Sequence, residues 1–129
     1  MNRPGFRSAL SVARSADPNS GTWVLVAPLR YASMLTEVEG EIVVPAGFQT
    51  DFASVPRLPF VYWLFGATAD EAATVHDWLY STGEVPRAVA DAVFAEASAV
   101  CGVPRWRRVG MWLAIRLFGG PHYNSEVVA

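Results

Sequence analysis

Cysteine is almost absent: Cys101 is alone in 129 residues, so no internal disulfide can brace the chain, which suits a reducing compartment or one where no disulfide is needed. Histidine is nearly as scarce. His76 and His122 are the whole complement, and with Cys101 they are too few nitrogen and sulfur ligands for a zinc site. Charge is sparse too, at 17% of residues with a formal net charge of −2. That balance gives no general attraction for nucleic acid, and no nucleic-acid partner is expected. No segment reaches the roughly 20 apolar residues that span a bilayer. The start, Met-Asn-Arg-Pro-Gly-Phe, lacks the apolar stretch of a secretory signal peptide, so export by that route is not expected. Internal repeats and low-complexity tracts are missing.

What is present is apolar. Hydrophobic residues make up 52% of the chain, enough for one core in a single domain of this length. Some apolar surface is left over for a partner.

Turn signals at Asp17-Pro18-Asn19-Ser20-Gly21 and Glu39-Gly40 divide the first third into short strands, expected over Phe6–Val12, Thr22–Pro28, Arg30–Leu35 and Glu41–Val44. They read as antiparallel hairpins covering about residues 5–46. From Ala69 the apolar period becomes helical. Helices are expected to about Ser81, from Pro86 to Cys101 and from Pro104 to Phe118, all within 68–119, followed by a tail over 120–129. Pro86 and Pro104 suit first helical turns, and Gly83 and Gly102 suit helix exits. Residues 47–67 form a loop with polar Thr50, Asp51 and Ser54 among apolar neighbours. A functional loop and a structural loop capped by its own side chains have the same appearance. The fold class is α+β: an N-terminal antiparallel sheet of three to five short strands packed on a C-terminal three-helix unit.

On the first helix Ala72, Val75, His76 and Leu79 share one face, which puts His76 in the apolar stripe, with Asp77 about 100° further round towards the edge. On the second, Ala90, Val93, Phe94, Ala97, Val100 and Cys101 form the stripe, with Asp91 and Ser98 at its flank. The short turn makes the two helices antiparallel. His76 lies about as far before it as Asp91 lies after it, so the two can pair. A carboxylate on one imidazole nitrogen fixes the tautomer and leaves the other nitrogen to take a proton from water. The same pair also serves as a buried histidine satisfied by a carboxylate, with structural value alone. Asp77, beside the base, suits a divalent cation, with Asp51 and loop carbonyls completing an oxygen shell; calcium or magnesium is then the expected ion.

Two resemblances attach to these residues. Gly47-Phe48-Gln49-Thr50-Asp51-Phe52-Ala53-Ser54-Val55-Pro56, His76-Asp77-Trp78-Leu79-Tyr80, Ala90-Asp91-Ala92-Val93-Phe94 and Gly102-Val103-Pro104 resemble the phage and prophage family filed as domain of unknown function 1353. That likeness runs from about Trp23 to Gly119. It implies a bacteriophage or prophage origin; residence in the host cytoplasm during assembly is then expected and, in the non-catalytic alternative, a place in the virion, its tail or its head-tail junction. His76-Asp77-Trp78-Leu79-Tyr80 is also similar to the His-Asp helix of phospholipases A2. By that likeness His76 activates water, Asp77 holds calcium, Asp91 orients His76 and the Asp51 loop takes the place of the calcium loop. The bracing cysteines of the secreted phospholipases are absent, and the Asp51 loop lacks their glycine-rich signature.

A His-Asp phosphohydrolase would need metal-binding histidines upstream of His76, and none precedes it. Ser54 lacks the sharp glycine-flanked turn of a serine hydrolase. The last helix sets Arg105, Arg107, Arg108 and Arg116 among Trp106, Met111, Trp112, Leu113, Ile115, Leu117 and Phe118. It is apolar nearly all round, which suits burial or docking on a partner. The alternative is a lipid or membrane surface contacted through 105–118. The aromatic set Phe60, Tyr62, Trp63 and Phe65 reads as core or as the lining of an acyl-chain pocket. Two functions are carried forward: a phage-encoded, metal-assisted hydrolase of lipid esters with His76 as base, with Thr50, Ser54 and Tyr80 in support, and a non-catalytic virion component that binds other phage proteins.

Overall fold

The structure, a computed structural model, describes residues 3–16, 23–50, 70–118, 120 and 123. Six short strands precede three helices: β1 (Gly5–Phe6), β2 (Val12–Arg14), β3 (Trp23–Leu25), β4 (Leu29–Ala32), β5 (Glu41–Val44), β6 (Gln49–Thr50), α1 (Asp70–Thr82), α2 (Arg87–Val100) and α3 (Arg105–Phe118). The class is α+β, as the sequence pattern predicts.

The strands make two three-stranded antiparallel sheets, in the orders β1-β4-β5 and β2-β3-β6. The run expected as one strand, Phe6–Val12, is divided between them. Ser8 stands at the crossing, where its hydroxyl donates to the Pro28 carbonyl and accepts the Arg30 N–H. Those bonds tie the chain to the β3–β4 turn instead of extending one ladder. The reading also missed β6, whose Gln49 and Thr50 lie opposite Val24 and Trp23. In the β4–β5 pair, Leu29 faces Val44 and Tyr31 faces Ile42 across the ladder, and all four side chains are buried. This is the period-2 alternation of a sheet with one covered face.

The helices begin and end where backbone chemistry dictates. Asp70 and Glu71 stand in the first turn of α1, where the helix dipole favours anions. Pro86 is the residue just before α2, one position earlier than expected, and its carbonyl accepts the Ala90 N–H. At the far end of α2, Gly102 has φ +84°, a conformation only glycine adopts at little cost. Its N–H bonds to the Ala99 carbonyl while the Val103 N–H reaches the Ser98 carbonyl. This is the Schellman closure, with buried Val103 as its apolar contact.

One core joins the layers: Leu25, Leu29, Tyr31, Ile42 and Val44 from the strands meet Val75, Leu79, Val93, Phe94, Met111 and Ile115 from the helices. Glu96 on α2 clasps sheet to helix. It accepts the Tyr31 hydroxyl at 2.7 Å and the Met34 N–H at 3.0 Å, and burial together with that carboxylate drives the Tyr31 phenol far above its usual range. Val100, expected in the α2 stripe, is exposed, whereas Cys101, the C-cap residue, packs partly buried against the core.

Candidate functional site

Antiparallel packing of α1 on α2 puts His76 against Asp91, with Nε2 2.9 Å from Oδ1. Each residue lies about one and a half turns from the connection, so antiparallel packing brings the two level. Tyr80, one turn after His76, donates its hydroxyl to the same carboxylate oxygen at 2.5 Å. The second oxygen, Oδ2, accepts from Arg116 Nη1 on α3 at 2.7 Å. A single carboxylate therefore joins all three helices.

The flank position expected for Asp91 is corrected. Its side chain is 0% exposed, and a carboxylate so buried persists only when paired and fully hydrogen-bonded. Burial alone would push its pKa up; bonds from His76, Tyr80 and Arg116 outweigh that and hold the carboxyl below its usual range. Arg116 balances its charge, so His76 faces a pair with no net charge. Burial pushes the imidazole pKa down, the Asp91 carboxylate pushes back without prevailing, and Arg87 adds to the lowering. His76 is therefore neutral at pH 7. Because an ionised carboxylate can only accept, the proton must sit on Nε2 and the lone pair on Nδ1. Tyr80 at 4.1 Å and Phe94 at 5.2 Å, centroid to centroid, pack against the ring, and 14% of the side chain stays open.

A second layer of contacts steadies the first. Arg87 Nε donates to the Tyr80 hydroxyl at 3.1 Å, and its Nη2 donates to the Ile115 and Arg116 carbonyls at 2.7 and 2.9 Å. Those carbonyls lie in the last turn of α3, where a cation suits the dipole. The Tyr123 ring meets Tyr80 edge-on at 5.3 Å, and its hydroxyl donates to the Val85 carbonyl at 2.6 Å. Burial and the Asp91 hydrogen bond, the larger effects, drive the Tyr80 phenol far above its usual range against the opposing pull of Arg87, so it stays a donor.

Sequence reasoning did not find Arg87, Arg116 or Tyr123 for this cluster. Arg116 lies 25 positions from Asp91 and was grouped with the other arginines of its helix. The usable signal was its place: it is the only basic residue in the last turn of α3.

Thr50 is in β6 and buried. Asp77 is half-buried and has an interaction of its own. Asp51 and Ser54 lie outside the described residues, as do His122 and the aromatic set Phe60, Tyr62, Trp63 and Phe65. Calcium takes six to eight oxygens and magnesium six, several of them from water. Among the described residues no group of three or more His, Cys, Asp or Glu side chains stands close enough to hold a metal ion.

Among the described residues no helix is long and apolar enough to cross a membrane. No curated protein and no solved structure matches the chain. The family described as Protein of unknown function (DUF1353) matches residues 23–115, and the chain belongs to that family.

Proposed function

We propose that the chain is a hydrolase of carboxylic esters in which His76 is the general base. One observation carries this reading: the His76 imidazole has one nitrogen held by a buried carboxylate at 2.9 Å, which fixes the tautomer and leaves the other for proton transfer. In the step proposed, Nδ1 removes a proton from water while the water oxygen bonds to the ester carbonyl carbon. The same proton then passes to the departing alkoxide oxygen as its bond to that carbon breaks. Asp91 and Tyr80 are positioning residues, because they act through His76. The likeness of the His76–Tyr80 helix to phospholipases A2 supports the same assignment.

The test compares hydrolysis of a soluble short-chain nitrophenyl ester by the wild type and by His76→Ala, at a temperature where circular dichroism finds both folded. The expected result is a loss of about 10²-fold or more, the usual contribution of a general base. The wild-type rate should also rise with pH to a plateau, with its inflection below the ordinary histidine value. Equal rates in the two proteins would end the proposal.

A second reading has its own observation. Asp91 has both oxygens occupied and no exposure, which is what a purely mechanical lock between three helices requires. In that case the chain is a structural part of a bacteriophage particle, and His76→Ala lowers stability without any activity to lose.

A further inference from the structure

Helix α3 turns an apolar face outward. Met111, Ala114 and Ile115 are buried, while Trp106, Val109, Trp112, Leu113 and Leu117 are exposed, Leu117 by 72% and Trp106 by 58%. The burial expected for this helix is thus met on one side only. Residues 106, 109, 113 and 117 follow the three-and-four spacing of one helical stripe, so the exposed apolar groups are contiguous.

The charges of α3 are unusual as well. Its sequence, RWRRVGMWLAIRLF, contains four arginines and neither an acid nor an uncharged hydrogen-bonding side chain other than tryptophan. Arg116 is engaged with Asp91. The other three stand in the first turn, where the helix dipole disfavours cations. Helix α1 follows the opposite and favourable rule with Asp70 and Glu71. Between α2 and α3, Arg105 and Arg108 stand beside Ala92, Ala95, Val109 and Trp112 along an open groove of about 320 Å³.

Three occupants can be weighed against these facts. A second copy pairing α3 on α3 would cover the aliphatic stripe, but Arg105, Arg107 and Arg108 of each helix would find no acid on the other, because α3 carries none. A specific protein interface carries about ten hydrogen bonds around its apolar centre, and this helix contributes only guanidinium and indole donors. An anionic phospholipid surface asks for what is present: phosphates for the arginines, the headgroup boundary for the tryptophans, and acyl chains for the aliphatic side chains.

We infer that α3 is the docking face for an anionic phospholipid surface. Arg105 and Arg108 take phosphates at the mouth of the α2–α3 groove, and Trp106, Val109, Leu113 and Leu117 enter the acyl boundary. This deepens the ester-hydrolase reading by naming the surface on which an ester substrate lies.

The experiment is co-sedimentation of the full chain with vesicles of phosphatidylcholine alone and of phosphatidylcholine mixed with phosphatidylglycerol. Binding is expected to the mixed vesicles, weaker in high salt. It should fall about tenfold or more in Arg105→Gln/Arg108→Gln, fall similarly in Leu113→Gln, and persist in His76→Ala. Arg105 and Leu113 are exposed and Arg108 is half-buried, and circular dichroism checks that each variant keeps the wild-type fold. Equal partition into both vesicle types, or into neither, overturns the inference. So does a dimer in sedimentation equilibrium that Leu113→Gln dissociates, which would give the face to a second copy. Because the esterase assay uses a soluble ester and the His76 variant, either proposal can fail without the other.

Discussion

Replacing Asp91 with asparagine keeps the shape of the side chain and removes its charge, so it isolates what the carboxylate contributes to the joint between the helices. In the better orientation the amide oxygen still accepts from His76 Nε2 and Tyr80, and the amide NH2 then points at the Arg116 guanidinium, donor against donor. Breaking a buried ion pair from one side costs about 3 to 5 kcal/mol. Arg116 is 34% exposed and can turn part of its guanidinium to water, which lowers the expected cost to about 2 to 3 kcal/mol. For a chain of this size that is a fall in Tm of about 6 to 15 °C. Asp91→Ala leaves three donors without their acceptor and should cost more, since each stranded buried donor adds about 1 to 3 kcal/mol. Urea melts followed by circular dichroism measure both. A loss below about 1 kcal/mol for Asn, or equal losses for Asn and Ala, would refute the view that this charge is the keystone of the helical unit.

Three further outcomes are expected. Since burial depresses the His76 pKa in the folded chain, the unfolded state takes up the proton first as pH falls. Stability is therefore full above the ordinary histidine value and declines below it, with a slope of at most about 1.4 kcal/mol per pH unit. His76→Gln should flatten that decline between pH 7 and 5, and an unchanged slope would contradict it. Gly102→Ala should cost about 1 kcal/mol from its φ of +84° alone, because an added Cβ meets nothing within 4 Å; a neutral result in urea melts would show that the Schellman turn is dispensable. If Asp77 holds calcium or magnesium together with Asp51, either ion at millimolar concentration should raise Tm and Asp77→Asn should abolish the rise; an unchanged Tm would remove the metal reading.

The helices were legible because their punctuation is local. Gly83 and Gly102 mark the exits with positive φ, and Pro86 precedes the second start. Pairing of His76 with Asp91 was equally legible, since two antiparallel helices on a short turn leave little freedom in register. Burial of Asp91 was not, because a carboxylate can enter a core only with partners, and Arg116 reaches it from a helix whose docking no periodicity describes. In the sheets the alternation of Leu29, Tyr31, Ile42 and Val44 could be read, whereas the division of the Phe6–Val12 run could not. What ends β1 is the Ser8 hydroxyl bonding to a distant turn, at the Pro28 carbonyl and the Arg30 N–H, and contacts of that kind leave no period in a sequence.

β1 and β2 come from one stretch of chain, residues 5–14, and lie along the rims of both ladders, β1 beside β4 and β2 beside β3. A chain shortened to begin after Arg14 would uncover the unpaired N–H and C=O groups of two separate strands at once. Such a fragment would present two open strand borders, and intermolecular strand pairing from both would build extended aggregates instead of closed dimers.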